Sequence, residues 1–181
     1  SQALELFDAY QARIADCDKK IEGALQRLNA DRPVPLTPLL APRIKTKQAN
    51  APKFDVRTKL HQLTGTDLTR IHGIGPSLAL SLISECGSDL SKWPTEKHFA
   101  SWLCLSPGCK ISGGKVLSSR TRRSSSRLAS QLRLAASNVG RTETALGAFY
   151  RRLAARIGKA KAVTATARKI AVLFYNTLRH G

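Results

Sequence analysis

Methionine is absent from the 181 residues, even from the first position. Because a natural chain normally begins with methionine, we expect this sequence to be a piece of a longer protein. Long apolar runs are also lacking, since none approaches the roughly 20 residues that a membrane span needs, and the start shows no secretory signal pattern. We therefore expect a cytoplasmic protein without a membrane partner.

Cysteine is scarce and scattered. The four cysteines, Cys17, Cys86, Cys104 and Cys109, include no C-x-x-C pair, which is the spacing that zinc sites commonly use. Each is expected to be a buried or idle thiol. The sequence therefore predicts no metal site and no cofactor held by this chain alone.

Acidic residues nearly vanish from the last third of the chain. Residues 110–181 hold 16 Lys or Arg and a single carboxylate, Glu143, whereas residues 1–109 hold 14 against 11. The net charge of +18 is therefore concentrated at one end. Such a block favours nucleic acid as the partner, with an anionic membrane second, because each neutralised phosphate releases counterions.

The first 30 residues carry an apolar heptad pattern. We define the seam as the residues at alternating spacings of four and three, namely Ala3, Phe7, Tyr10, Ile14, Cys17, Ile21, Ala24 and Leu28. This pattern predicts one long helix over residues 1–30 that packs against another helix. The partner is either a second copy, which gives a homo-oligomeric coiled coil, or a helix of the same chain.

Five prolines between Pro33 and Pro52 predict a basic, extended linker over residues 31–54, which includes Lys45 and Lys47. Residues 55–181 then carry only helical periodicity, starting from an N-cap at Asp55 and ending in three helices separated by Gly140 and Gly158. No segment alternates with period two. The fold class is therefore predicted to be all-α, with a compact helical domain after the linker.

The segment Ile71-His-Gly73-Ile-Gly75-Pro76 resembles the turn of a helix-hairpin-helix element. Glycines there leave backbone N–H groups free to meet a DNA phosphate at a helix N-terminus, which marks Gly73 and Gly75 as candidate nucleic-acid contacts. The same pattern also fits a tight turn with a purely structural role.

Residues 106–127 lack apolar periodicity, and hydroxyls and cations dominate them. They are predicted to form an exposed, mobile loop between helices. Within it Ser112 precedes Gly113 and Gly114, which let a phosphate approach closely. The candidate phosphate contacts are these two glycines together with Lys110, Lys115, Arg120, Arg122, Arg123 and Arg127.

Several motifs in one order resemble a known family. They are Ile71-His-Gly-Ile-Gly-Pro, Phe99-Ala-Ser-Trp-Leu-Cys-Leu-Ser-Pro-Gly, Ser112-Gly-Gly-Lys-Val-Leu, Thr121-Arg-Arg and Ala145-Leu-Gly-Ala-Phe-Tyr-Arg-Arg-Leu. Together they resemble the C-terminal domain of the insertion sequence 110 family of transposases, in particular its insertion sequence 1111 subgroup. The sequence departs from the family at Cys104, where glycine is frequent, and at Ser124 to Ser126, where a Gly-x-Asn turn is frequent.

The resemblance implies a site-specific DNA recombinase in which the serine at position 112 attacks DNA. It also implies a guide RNA, DNA partners at the element ends and the target, and an upstream RuvC-like domain whose carboxylates hold Mg²⁺. The residues agree with this division of labour, because the C-terminal third has too few carboxylates for a metal site of its own. We therefore expect this chain alone to bind nucleic acid without cutting it.

Two rival interpretations remain. The main one is a non-enzymatic helix-hairpin-helix module that binds DNA or RNA. The other is association with a membrane surface through the basic helices, which short helices that end at glycines fit poorly.

Overall fold

The computed structural model describes residues 1–43, 51–123 and 126–181. Lys45, Lys47, Ser124 and Ser125, which entered the predictions above, lie outside the described residues. The chain divides into two compact units, Ser1–Asp67 and Leu68–Gly181, and each is described by itself.

The described residues form seven α-helices, one 3₁₀ turn and one β-hairpin, which confirms the predicted all-α class. The elements of the first unit are α1 (Gln2–Asn29) and α2 (Val56–Thr64). Those of the second are a 3₁₀ turn (Leu68–Arg70), α3 (Pro76–Cys86), α4 (Glu96–Trp102), β1 (Lys110–Ser112), β2 (Lys115–Ser118), α5 (Arg127–Val139), α6 (Ala145–Ile157) and α7 (Lys159–His180).

In the first unit α2 packs against the C-terminal half of α1. Asn29 donates from Nδ2 to the carbonyl oxygen of Lys59 at 2.9 Å, and the Lys59 ammonium lies 3.3 Å from Glu22. Leu25 is buried on the same face of α1. The predicted cap at Asp55 is confirmed, since its carboxylate accepts from the backbone N–H of Thr58 and fixes the start of α2.

The seam of α1 is not the face that α2 covers. Phe7, Tyr10 and Ile14 are 57, 62 and 48% exposed, and Leu28 is 59% exposed. The residues that meet α2, Leu25 among them, lie one position further along the helix, which turns them about 100° away from the seam. The long helix is therefore confirmed, and most of its apolar stripe faces solvent.

The core of the second unit is built around α7, which packs against α4, α5 and α6. Ala167, Ile170, Ala171 and Phe174 of α7 are fully buried. They recur at spacings of three, one and three, which places them on one face of the helix. This apolar face of α7 is the one that the three neighbouring helices bury.

Aromatic rings close one end of this core. Trp93 and Phe99 meet edge to face, with ring centroids 5.0 Å apart, and Phe99 stacks on Phe174. The hydroxyl of buried Tyr175 donates to the carbonyl oxygen of Trp93 at 2.6 Å. Trp102 remains 44% exposed. Phe99 is therefore a core residue, whereas Trp102 keeps part of its ring in solvent.

Local signals account for the helix ends. Thr95, Ser126 and Thr144 each cap a helix by accepting a backbone N–H three residues later. Gly158 ends α6 with a φ of 84°, a conformation that glycine adopts without strain. No helix in the described part of the chain is long and apolar enough to cross a membrane.

Candidate functional site

Ser112 lies at the end of a β-hairpin. β1 and β2 pair antiparallel, and Ser112 faces Lys115 across a two-residue turn made of Gly113 and Gly114. Both glycines have positive φ, 53° and 74°, as the tight hairpin turn compatible with strand twist requires. The irregular loop predicted for this segment was wrong in this respect, because two adjacent glycines allow the chain to reverse direction and pair with itself.

Backbone pairing continues beyond β1 and β2, on the side away from the Gly113-Gly114 turn. Pro107 forms a β-bridge with Thr121, and the backbone N–H of Gly108 donates to the carbonyl oxygen of Arg120 at 2.9 Å. A Cβ at position 108 would lie 3.3 Å from that oxygen, so glycine permits the close approach of the two chains. Ser112 is thereby carried at the outer end of a ribbon that runs from Pro107 to Thr121.

The surroundings of Ser112 are open. Its side chain is exposed, and a Cβ added at Gly113 or Gly114 would meet no atom within 4 Å. Within residues 1–43, 51–123 and 126–181, no group of three or more His, Cys, Asp or Glu side chains is arranged to hold a metal ion. A phosphate can therefore reach the hydroxyl, but the described residues do not form a magnesium site beside it.

Beside β2 lies a cleft of about 1180 Å³. Its lining comes from the start of α4, from β2 with the segment that follows it, from α6 and from α7. The charged residues of this lining are Glu96 and the six cations Lys97, Arg120, Arg123, Lys161, Arg168 and Lys169. Its apolar residues include Leu105, Val116, Leu117, Phe149, Ile157 and Val172. We call this the β2 cleft.

The predicted phosphate contacts fall into three groups. Arg120 and Arg123 line the β2 cleft, whereas Lys110 and Lys115 are exposed on the hairpin itself. Two arginines already have protein partners: Arg122 donates to the carbonyl oxygen of Ser101, and Arg127 lies 2.9 Å from Glu85. The charge of Arg127 is therefore partly compensated before any ligand arrives.

The two glycines of the predicted helix-hairpin-helix turn have different surroundings. Gly73, with a φ of 94°, packs so closely that an added Cβ would lie 2.8 Å from Val139 and 3.2 Å from Ile170. Gly75 caps α3 in open space, and Pro76 takes the first helical position. A 3₁₀ turn directly precedes this segment. Gly73 thus has a packing role, and nucleic-acid contact at either glycine stays a prediction.

Four cations of the β2 cleft were not among the predicted site residues: Lys97, Lys161, Arg168 and Lys169. A signal for part of this set exists, because Lys161, Ala165, Arg168 and Val172 follow the i, i+4, i+7, i+11 spacing of one helical stripe. The sequence cannot indicate that this stripe faces β2, more than 40 residues earlier in the chain. That proximity follows only from the fold.

One of the four thiols, that of Cys86, has a structural role. It is buried at the end of α3, and burial raises the pKa of its thiol to about 12. Such a thiol stays protonated at neutral pH and is a poor nucleophile. The buried thiol predicted here is confirmed, whereas Cys17 and Cys109 are exposed.

The segment that carries the hairpin resembles a known protein family. A family model described as Transposase IS116/IS110/IS902 family matches residues 65–151. This segment, just under half of the chain, is similar to that transposase family. It spans the glycine turn at Gly73, the hairpin with Ser112 and all of α5, whereas α7 lies outside it. No curated protein and no solved structure matches the chain.

The similarity to the transposase family gives Cys104 a physical interpretation. Its φ of 55° is the one positive value among the non-glycine residues that the structure describes. A side chain in this left-handed region is crowded by the backbone, whereas glycine adopts it freely. This is a reason for the glycine that is frequent at this position in the insertion sequence 110 family.

Proposed function

We propose that this chain is the C-terminal part of an RNA-guided DNA transposase of the insertion sequence 1111 subgroup, and that Ser112 is its nucleophile. The observation that carries the proposal is the position of Ser112, inside the transposase segment, exposed beside two open glycines at the end of a cationic hairpin. We place the protein in the bacterial cytoplasm, in association with the nucleoid.

The reaction is a transesterification at a DNA phosphate. The Oγ of Ser112 forms a bond to phosphorus, the bond from phosphorus to one bridging oxygen breaks, and that oxygen takes a proton. The new ester between serine and DNA replaces the broken phosphodiester bond at similar free energy. A hydroxyl of another DNA end can therefore attack the same phosphorus later and release the serine. Lys115, directly across the turn from Ser112, and the other hairpin cations offset the charge on the phosphate oxygens.

The proton acceptor and the magnesium ligands are assigned to another part of the protein. Among the described residues no carboxylate cluster lies near the hairpin, and the only carboxylate after Glu96 is Glu143. We assign these roles to an upstream RuvC-like domain, which would supply Mg²⁺ and its carboxylate ligands. The 181-residue chain alone is therefore expected to bind DNA and guide RNA without cleaving DNA.

The exposed seam of α1 supports assembly into a homo-oligomer. Phe7, Tyr10 and Ile14 place a continuous apolar stripe in solvent, and a second copy of the same helix offers the matching heptad pattern. We propose that α1 pairs with its counterpart in a coiled coil, which brings two Ser112 hairpins into one complex for the two ends of the element.

The test of the nucleophile uses the full-length protein with its RNA and a DNA that carries the element ends. On a denaturing gel the wild type should form a covalent protein–DNA adduct, and Ser112→Ala should form none. Ser130→Ala, an exposed serine of α5 that does not line the β2 cleft, is the matched control and should form the adduct normally. An adduct with Ser112→Ala would show that the nucleophile lies elsewhere.

The second candidate is a non-enzymatic nucleic-acid-binding module, which the excess of 16 cations over one carboxylate in residues 110–181 favours. Under this alternative neither the wild type nor Ser112→Ala forms an adduct, while both retard DNA in a gel shift. Loss of the adduct in Ser112→Ala, with retained binding, rejects the module and supports the transposase.

A further inference from the structure

The β2 cleft is larger than a site for a small molecule. Ligand pockets usually measure about 300 to 1,000 Å³, and this cleft measures about 1180 Å³ and is open to solvent along the surface of α7. Its residues come from distant stretches of the chain, namely the start of α4, β2 with the segment that follows it, α6 and α7. These dimensions fit a segment of an extended polymer.

The charge of the cleft selects a polyanion. Six cations face one carboxylate, Glu96, and among the described residues none of these six forms an ion pair. Cations from α7 and from the segment after β2 line the same cleft, as Lys161 and Arg120 illustrate. Like charges gathered in this way repel one another unless a ligand with several negative charges lies between them.

The apolar lining distinguishes a single strand from a duplex. Leu117 and Val116 are 69 and 61% exposed, and Phe149 and Val172 contribute further apolar surface. A duplex presents phosphates outside and hides its base faces, so it would leave this surface without a partner. A single strand presents both phosphates and unstacked bases, and its bases can pack on apolar and aromatic side chains.

The hairpin connects the cleft with Ser112. Leu117 is two residues along β2 from Lys115, which pairs with Ser112, and this separation is about 7 Å at the usual strand rise. Neighbouring strands lie about 5 Å apart, so a strand bound at Leu117 passes within about two or three nucleotides of Ser112, given about 3.4 Å per nucleotide in a stacked strand.

From these four observations we infer that the β2 cleft binds single-stranded DNA, namely the strand that flanks the phosphate attacked by Ser112. The phosphates lie against Lys161, Arg168 and Arg120, and the bases lie against Leu117 and Phe149. That the strand is DNA rather than RNA rests on the proposed function. Binding of a single strand in the cleft rests only on its charge, its apolar surface and its size.

The experiment measures fluorescence anisotropy with the 181-residue chain and a labelled oligothymidylate of about 12 nucleotides, a length within the site sizes known for single-strand-binding domains. The competing probes are an oligouridylate of the same length and a blunt DNA duplex. Titrations run from about 50 to about 200 mM salt, where phosphate contacts show as a slope.

Two variants and one control separate the contributions. The double variant Lys161→Gln, Arg168→Gln should weaken oligothymidylate binding at least tenfold and lower the salt slope by about 1.4, or about 0.7 per phosphate. Leu117→Ser should weaken it several-fold with an unchanged slope, because it removes base packing alone. The control, Arg141→Gln with Arg152→Gln, loses the same charge at exposed positions outside the cleft and should lose less than half as much affinity.

Three outcomes would overturn the inference. Duplex bound as tightly as oligothymidylate would remove the argument from the apolar surface. An equal loss of affinity in the cleft variants and in the control would show that overall positive charge is sufficient for binding. Oligouridylate bound tighter than oligothymidylate, with the same sensitivity to the cleft variants, would make the occupant RNA. The anisotropy assay involves no strand cleavage, so its result does not depend on whether Ser112 proves to be the nucleophile in the adduct assay.

Discussion

At the scale of single residues, neighbours in the sequence have unlike surroundings. Gly73 and Gly75 are two positions apart in one turn, and both match the pattern of a phosphate-binding hairpin. Gly73 fits against Val139 of α5 and Ile170 of α7, whereas Gly75 has no atom near its missing side chain. A loss of DNA binding in a Gly73 variant would therefore not by itself show a phosphate contact.

Gly73→Ala is expected to destabilise the second unit by roughly 2 kcal/mol or more. A Cβ with positive φ costs about 1 to 2 kcal/mol, and the clash with Val139 adds overpacking of similar size. Gly75→Ala, the matched control, has an ordinary φ of −94° and should cost less than about 1 kcal/mol as a poorer N-cap. Urea unfolding followed by far-UV circular dichroism measures both.

Equal stability of the two variants would contradict the packing role of Gly73. If Gly75→Ala also weakens DNA binding while it stays folded, the phosphate contact predicted at this turn gains direct support.

At the scale of elements, the heptad pattern of α1 predicts the helix correctly but does not identify the helix that packs against it. The heptad spacing predicts a helix with an apolar seam, and the helix spans Gln2–Asn29 as expected. α2 covers the adjacent face, because Asn29 and Glu22 offer polar partners to Lys59 there. The seam itself remains exposed, which favours the coiled coil over packing within the chain.

Ile14→Glu should weaken self-association of the chain by roughly tenfold or more. Two copies would each lose a buried aliphatic side chain, worth about 1.5 to 3 kcal/mol, and gain facing charges. Ala12→Glu places the same charge on an exposed position off the seam and should leave association unchanged. Sedimentation equilibrium measures both, and equal association in the two variants would argue against the coiled coil.

The hairpin is the element that periodicity missed. β1 and β2 have three and four residues, and Ile111, Val116 and Leu117 are all exposed. A strand alternates in hydropathy only when one of its faces is buried, and here neither face is. The usable signal was Gly113-Gly114, which favours a two-residue hairpin turn wherever the flanking residues can pair.

At the scale of the whole molecule, charge is the property that most directly governs function. The excess of cations after residue 109 predicts contacts with the backbone of nucleic acid, which are independent of base sequence. If a guide RNA selects the target, the protein itself needs few contacts with base edges.

Replacing Arg120, Arg122 and Arg123 together by Gln should weaken binding to all DNA sequences alike. Each lost phosphate contact lowers the salt slope by about 0.9 for duplex DNA, so the triple variant should lose about 2 to 3. The lower value is expected if Arg122 of the wild type stays bonded to the Ser101 carbonyl in the complex and contacts no phosphate. Gel shifts on two unrelated duplexes measure the effect, and a loss confined to one of them would contradict backbone binding.

The sequence by itself determined the helices, their caps and the concentration of charge, because each depends on residues within a few positions of one another. Asp55, Gly140 and Gly158 were predicted at helix ends from local chemistry alone, and the order of the motifs indicated the transposase family. The candidate nucleophile at Ser112 was also chosen from the sequence.

Only the tertiary structure decided which cations share a cleft and which glycine is packed. Lys161 and Arg168 of α7 line the same cleft as Arg120 because α7 docks on α4, α5 and α6 through its buried face. Periodicity indicates which face of a helix is apolar, but not what lies opposite its other faces. Contacts between distant segments depend on how the whole core packs, and no local pattern encodes them.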